Sequence, residues 1–410
     1  MWELIRANKQ KSIALLILMA VVLMLLGYVI GLGFFGPRGG FTGLIIATAL
    51  WLILTLVAFS SGDQILLAAS KAKPVTHDVH PQLFNIVEEM KIAASLPAMP
   101  KIYIINDPAP NAFATGRSPE RASVAVTAGL LAKLNRDELQ GVVAHEISHI
   151  VNRDILFVTL AGIMLGSIVL LSQVFLRGMF YSSLAGGSRR RYSSGGKGGG
   201  QAQLIMLIIA IVAAILAPIM AYLLYFALSR RREYLADAGS ARLTRYPEGL
   251  ARALEKIAAD SAPQLAAANK ATAPMYIANP FKKARATKLS DLTSTHPPIS
   301  ERIRILRNMT HGASFKDYSD SFAKITHNST VMPASSLTKE DVTIRQAREK
   351  AAKGQRAEKQ MRQVGDIMRR VNQFVFLTCT CGLKLKIPPN FKSAKVACPR
   401  CGKVLTLAGK

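Results

Sequence analysis

The run His145-Glu146-Ile147-Ser148-His149 decides how this chain is read. Residues four apart on an α-helix share a face, so both imidazoles can reach one metal ion, with Glu146 projecting beside them. Zinc lowers the pKa of a bound water to about 7, and a carboxylate so placed can take the proton released. The flanking residues supply the helix. Asn135 is a good N-cap, Glu138 completes a capping-box pattern, and Leu139, Val142, Val143 and Ile150 line the segment to Asn152. Two histidines on an ordinary amphipathic helix would show the same spacing, but this context weakens that reading.

A catalytic zinc usually takes three protein ligands and keeps one position open. The candidate third ligand is Glu233, in Arg232-Glu233-Tyr234-Leu235-Ala236-Asp237. Glu233 and Asp237 are another pair four apart, so a ligand and a carboxylate that orients a ligand histidine can share one helix face. Read alone, the pair would serve as well to balance Arg230, Arg231 and Arg232; beside the histidines, the ligand reading is stronger.

Half of the 410 residues are apolar and only 19% are charged. Ser12 to Pro37, Phe41 to Gly62, Ile155 to Leu176 and Gln201 to Ser229 carry no charge over membrane-spanning length, since a span needs about 20 apolar residues. The first run is too long for a cleaved signal peptide and reads as a retained anchor. Arg6, Lys9 and Lys11 precede it, which places the N-terminus in the cytoplasm. His149 and Glu233 must meet although two apolar stretches lie between them, so those stretches cross the membrane twice or not at all. Two crossings would put Arg189, Arg190, Arg191 and Lys197 on the far side, against the positive-inside rule; a re-entrant hairpin would not. The net charge of +27 fits orienting and solubilising charge, and would also attract anionic lipid or nucleic acid.

Between the first hairpin and the histidine helix, Pro81 to Ser95 has helical periodicity, and Lys101 to Ile105 and Ala122 to Thr127 read as strands. Asn111 to Gly116 reads as an edge strand. Arg177 to Gly200 is a basic Gly/Ser-rich connector, Thr310 to Ser336 a polar linker, and Lys339 to Gln373 a charged helix candidate.

The residues resemble the HtpX-type heat-shock membrane metallopeptidases, relatives of the CAAX prenyl proteases. The resemblance lies in Asn111-Ala112-Phe113-Ala114-Thr115-Gly116, the His145 to His149 run, Asn152-Arg153-Asp154, Glu233 to Asp237, and Thr295-His296-Pro297-Pro298 followed by Glu301-Arg302, and it spans Met1 to Met309. It implies a gluzincin-like fold in which His145, His149 and Glu233 bind catalytic zinc and Glu146 is general base and acid. Asn111, Ala112, Phe113 and Ala114 would bind substrate by strand addition. His296 would donate to the oxyanion of the tetrahedral intermediate, with Arg302 in support; without the resemblance, His296 reads as a turn histidine before two prolines. The expected fold is mixed. It comprises an integral-membrane helical part of about four hydrophobic segments, a mainly α, gluzincin-like α+β peptidase domain and a small C-terminal β zinc ribbon. The expected order is a transmembrane hairpin (1–62), the first half of the peptidase domain (63–154), a second hydrophobic pair (155–229), the second half (230–309), a linker with charged helix (310–373) and the ribbon (374–410).

All four cysteines, Cys379, Cys381, Cys398 and Cys401, lie in that last segment, which suits a reducing compartment and a local metal site. Two close thiolate pairs fit structural zinc, although the first is Cys-x-Cys where Cys-x-x-Cys is usual; a redox pair or free thiols is the alternative. Lys384, Lys386, Lys392 and Lys395 would permit nucleic acid or an acidic partner, and such ribbons contact proteins as readily.

The expected activity is zinc-dependent endoproteolysis of misfolded or damaged membrane proteins by a multi-pass protein of the inner (plasma) membrane, its site facing the cytoplasm. Quality control and stress response come from the resemblance alone. The alternatives are a CAAX-type peptide maturation protease and a non-catalytic anchor displaying a basic ribbon.

Overall fold

The computed structural model describes residues 2–36, 38–184, 199–260, 276–277, 296–327, 331–332, 337, 342–348, 357–391 and 393–407. Most of the connector, including Arg189, Arg190 and Arg191, lies outside them, as do Thr295 and Lys392.

Among the described residues, four helices are long and apolar enough to cross a membrane: α1 (Trp2–Phe35), α2 (Gly39–Ala69), α6 (Asp154–Leu184) and α7 (Gly199–Thr244). Their shared interior holds Leu15, Met19 and Leu23 of α1, Ala161, Met164 and Ile168 of α6, and Ala210, Ala214 and Ala221 of α7. The outward positions are large and apolar: Ile17, Leu25, Ile45, Leu170, Val174, Ile205 and Leu223 are all exposed. Water would penalise such a surface, whereas hydrocarbon accepts it. Helices cannot gain hydrophobic burial from one another in lipid, so close backbone approach matters more. Gly27 and Gly31 on α1 face Gly39 and Gly43 on α2, where a Cβ on Gly43 would come within 2.9 Å of Gly31 Cα.

The soluble part hangs from the membrane helices. After α2 the chain enters a four-stranded sheet of order β1-β2-β4-β3, formed by Ala72–Pro74, Lys101–Ile105, Ala112–Gly116 and Ala122–Thr127. The central β2–β4 pair is parallel and the outer pairs are antiparallel. Helix α3 (Pro81–Ala93) buries Leu83, Ile86, Val87 and Met90 beneath it. A short helix α4 (Ala128–Lys133) leads to α5 (Arg136–Val151), the helix of the two histidines. The capping box of α5 is complete, with the Asn135 side chain accepting from Glu138 N and the Glu138 carboxylate accepting from Asn135 N. Two residues then turn the chain into α6, and Arg153 takes φ +58 to do so.

Helix α7 runs without a break from the apolar region through Glu233 and Asp237. It packs on α5 closely because small residues meet there. Ser240 donates to the Gly141 carbonyl at 2.7 Å. A Cβ on Gly141 would stand 2.6 Å from the Leu250 backbone N of α8 (Pro247–Ala258), so only glycine fits. Helix α9 (Ile299–Asn308) closes the core with Ile305 and Leu306.

The segment read as a linker is built into the body. Residues Phe315–Thr326 form helix α10, with a capping box from Ser314 and Asp317, and bury Tyr318 and Phe322. Val331 and Met332 sit in the main core. Residues 342–348 run as a strap without helical structure, and among the described residues of Lys339 to Gln373 the helix is α11 (Ala357–Val371). Arg345 donates to Asp137 at 2.8 Å, to Gln140 at 2.9 Å and to the Thr244 carbonyl at 2.9 Å. The Arg348 backbone N–H donates to the other Asp137 oxygen at 2.7 Å. Polar contacts between residues some 200 apart have no periodicity, so the charged composition that suggests helix here gives no sign of them.

Arg345 therefore ties the strap to the first turn of the histidine helix. Replacing it with Ala strips a charged hydrogen bond from buried Asp137, at a cost of roughly 2–3 kcal/mol. The expected result is a lower thermal unfolding midpoint for the detergent-solubilised protein; an unchanged midpoint would show that the strap is not docked in solution.

Candidate metal centre

Helix α5 presents His145 and His149 on one face, and α7 delivers Glu233 against them. His145 Nε2 lies 3.2 Å from His149 Nε2 and 3.5 Å from Glu233 Oε2, and His149 Nε2 lies 3.4 Å from Glu233 Oε1. Ligands about 2.0–2.1 Å from a tetrahedral zinc stand about 3.3–3.4 Å from one another, so the three groups fit a shared ion. The Glu233 Oε2 atom is buried without a hydrogen bond, as suits an oxygen aimed at a metal.

Each imidazole has a carboxylate behind it. Asp237 Oδ1 is 3.0 Å from His145 Nδ1, and Asp154 Oδ2 is 3.2 Å from His149 Nδ1. Such partners fix the ring orientation and leave Nε2 to face the ion. Arg302 is fully buried and grips Asp237 with two hydrogen bonds of 2.8 and 2.7 Å, while its third nitrogen donates to the Ile277 carbonyl at 3.0 Å and lies 3.4 Å from Glu233. His296 Nε2 stands 4.0 Å from Glu233 Oε2. Asp154 was quoted within the sequence resemblance without a role; its signal was an acid placed just past the end of the histidine helix.

Glu146 sits at the sheet edge. Neither of its buried oxygens makes a hydrogen bond of normal geometry, and the nearest backbone influence is Ala114 on β3. Strand β3 is the outer strand, and Ala112 points its carbonyl outward to accept from Ile277 N at 2.9 Å. Outward-facing groups alternate along an antiparallel strand, so Ala114 and Gly116 also present their backbone outward. The expected edge is therefore present, but it is buried throughout, and Ile277 already holds one of its acceptors. Phe113 turns inward onto Tyr276, with ring centroids 5.1 Å apart, and Asn111 N donates to Thr127 Oγ1 at 2.9 Å. A separate cavity of about 230 Å³, lined by Ser148, Asn152, Gly239, Arg242 and Phe315, contains none of the metal-facing groups.

Burial pushes the imidazole pKa values down, but the carboxylates outweigh it. The facing Asp237 and Glu233 carboxylates raise His145, and Asp154 with Glu233 raises His149 to about 10. Burial pushes Glu146 up despite both histidines, and holds His296 below the usual imidazole range despite Glu233.

The profile of peptidase family M48 matches residues 78–310. The chain belongs to that family. It is 45% identical over 308 residues to a protein called Protease HtpX homolog of Dictyoglomus thermophilum, covering 75% of this chain and 94% of that one. Homologs of the same name in Caldanaerobacter subterraneus and in Listeria monocytogenes (strain HCC23) are each 43% identical over 310 residues. They cover 76% and 75% of this chain, and 98% and 100% of their own lengths. The crystal structure of Ste24p from S. mikatae matches with a TM-score of 0.38 and 19% identity, over 75% of this chain and 67% of that one, a likeness too slight to bear on the fold. With its four apolar helices, the chain is by class a membrane metalloprotease.

Metal ligands must be deprotonated, so the raised imidazoles make zinc entry compete with protons. At neutral pH, zinc added to the stripped protein is expected to expel protons, and its affinity to rise with pH over about pH 7–9, toward the His149 value of about 10. Calorimetry in buffers of different ionisation enthalpy reads the release directly. Binding without proton release would mean that the imidazoles are already neutral.

Proposed function

We propose that this protein is a zinc-dependent endopeptidase of the cell's inner membrane, with its active site on the cytoplasmic side, that cleaves misfolded or damaged membrane proteins. The observation that carries the chemistry is the convergence of His145, His149 and Glu233, with ligand atoms all within 4.8 Å of one another, beside a buried carboxylate at a sheet edge. The substrate class rests on the likeness to HtpX-type peptidases.

In this reading His145, His149 and Glu233 hold the ion, and Asp237 and Asp154 keep the two imidazoles turned toward it. Zinc, when bound, supplies Lewis-acid polarisation of the peptide carbonyl and acidifies water to a pKa of about 7. An extended substrate lies along the outer edge of β3 and pairs with the outward backbone of Ala114 and Gly116. That placement brings its carbonyl beside Glu146. The Glu146 carboxylate takes the proton of the attacking water and returns it to the leaving amine, a transfer helped by a pKa that burial raises above the usual carboxylate range. His296 is held neutral and donates its ring N–H to the developing oxyanion. Arg302 holds Asp237 in place and, being permanently charged, balances the carboxylates gathered around it.

Connectivity supports that orientation. Helices α1 and α2 form a hairpin, so the N-terminus and the sheet that follows α2 lie on one side of the membrane. Arg6, Lys9 and Lys11 mark that side as cytoplasmic. Helix α6 leaves the soluble body and α7 returns to it.

Glu146→Gln keeps shape and hydrogen-bonding capacity but cannot take a proton. The expected loss is about 10²- to 10⁴-fold in cleavage of an unfolded protein by the zinc-loaded, detergent-solubilised enzyme. Equal cleavage by both proteins would remove the assignment. A cysteine placed at Ser194 is expected to react with an impermeant maleimide only from outside the cell; labelling from the cytoplasm would instead make α6 and α7 a re-entrant pair.

A further inference from the structure

The C-terminal module is two small hairpins with little to hold them. Strand β5 (Val375–Thr378) pairs with β6 (Lys384–Ile387), and β7 (Lys395–Ala397) with β8 (Val404–Thr406), but the two ladders are separate sheets. A lone two-stranded hairpin is marginal in water. Among the described residues from 374 onward, only Cys379, Ile387, Cys398 and Leu407 are buried. Two long polar contacts cross between the hairpins, from Arg400 to the Cys381 carbonyl at 3.4 Å and from Lys403 to Thr380 at 3.5 Å. An apolar core of that size does not order some thirty residues.

The four sulfurs do meet. Cys379 Sγ lies 3.4 Å from Cys401 Sγ, and Cys381 Sγ lies 3.6 Å from Cys398 Sγ, each pair bridging the two hairpins. All four atoms lie within 4.8 Å of one another. A disulfide would need about 2.05 Å, and sulfurs about 2.3 Å from a tetrahedral zinc stand about 3.8 Å apart. The observed spacing is far from the first and near the second.

The irregular first pair also fits. Cys398 N donates to the Lys403 carbonyl at 2.9 Å, closing a turn around Cys-x-x-Cys, whereas Cys379 N donates to the Leu383 carbonyl at 2.9 Å, closing a turn one residue shorter around Cys-x-Cys. In both turns the residue after the second cysteine is a glycine with positive φ, +83 at Gly382 and +74 at Gly402. The missing residue is absorbed in the loop, and the second sulfur still faces the first. Backbone N–H groups also point at the sulfurs, that of Cys381 at Cys379 and that of Lys403 at Cys401, as suits thiolates.

We propose that Cys379, Cys381, Cys398 and Cys401 hold one zinc ion, separate from the histidine centre, and that this ion closes the C-terminal module in place of an apolar core. Soft thiolates select zinc over magnesium or calcium, and four of them leave no open position for chemistry. The closed module then docks on the peptidase body. Lys386 pairs with Asp366 of α11 at 2.6 Å, the Arg370 guanidinium lies 5.4 Å from the Phe376 ring centroid, and α11 sets Met368 into the main core. The family match ends at residue 310 and the curated relatives are covered almost entirely by about three quarters of this chain, so the site belongs to the part they do not share.

The test uses the full-length protein in detergent, purified without chelator. Elemental analysis is expected to give two zinc ions per chain in the wild type and one after Cys381→Ser with Cys398→Ser. X-ray absorption of the wild type should show a zinc–sulfur shell at about 2.3 Å, a readout that needs no variant to fold. Cobalt-loaded wild type should show thiolate charge-transfer absorption that the double variant lacks. Zinc content unchanged by the serine substitutions, absence of the sulfur shell, or disulfides at these cysteines in anaerobically prepared protein would overturn the proposal. None of these readouts depends on peptidase activity, so failure here leaves the Glu146→Gln result to judge the other centre.

Discussion

The structure depends on bringing one carboxylate of a membrane helix to two imidazoles of a soluble one. Glu233 rides on α7 and the histidines on α5; Glu233 and His145 are buried where they meet, and His149 is half-buried. Unpaired charges in such a place are expensive, and removing one member of a buried pair typically costs about 3–5 kcal/mol. The compensation is continuous. Arg302 lies between Asp237 and Glu233, Asp237 reaches His145, Glu233 reaches both histidines, and Asp154 reaches His149. Asp154, Glu233 and Asp237 each face a cation or an imidazole, so the site can exist as a preorganised cluster.

That cluster constrains the helices around it. Asp237 and Glu233 serve neighbouring partners only while α7 stays helical across them, and the helix is unbroken there. Gly141 and Ser240 let α5 approach its neighbours at backbone distance, and a larger residue at Gly141 would displace the histidine helix from the carboxylate. The first turn of α5 is held from outside as well, by Lys256 on Glu138 at 2.6 Å and by Arg345 on Asp137. Catalytic geometry tolerates errors of only about 0.5 Å, so residues far from the metal-facing atoms share in setting it.

The parts legible in the sequence were those with a local rule. Four-residue spacing put His145 beside His149 and Glu233 beside Asp237, the Asn135–Glu138 box marked where α5 begins, and apolar length marked the four long helices. The outer position of β3 was read from its place between the two other strands and from the resemblance, with no local pattern to fix it. Arg302 and His296 entered through resemblance, because no local pattern ties a turn histidine or a helix arginine to a glutamate more than sixty residues away. Helix α10 was read as linker and the strap at 342–348 as part of a charged helix for the same reason. Their partners are single polar groups on distant elements, and a contact such as Arg345 to Asp137 leaves no trace in composition. The hydrogen bond from Ile277 to the Ala112 carbonyl of β3 was equally invisible, since its donor lies far along the chain.

The continuity of α7 sets the height of the centre above the membrane. At 1.5 Å per residue its 46 residues extend for about 69 Å, more than twice the roughly 30 Å of hydrocarbon. Its apolar part ends at Ser229, and Arg230, Arg231 and Arg232 follow at once, the residues expected at a headgroup boundary. Glu233 is the next residue. Arg232 does not reach into water but folds back, lying 3.8 Å over the Phe157 ring of α6 and 3.7 Å from Asp154. The same arginine thus touches the first turns of a membrane helix and the carboxylate that orients His149. In the topology proposed above, the ligand set stands within about a turn of the bilayer surface, so a polypeptide must come to the membrane to be cut. The proposed preference for membrane proteins is consistent with that placement, which arises from where the apolar run of one helix stops.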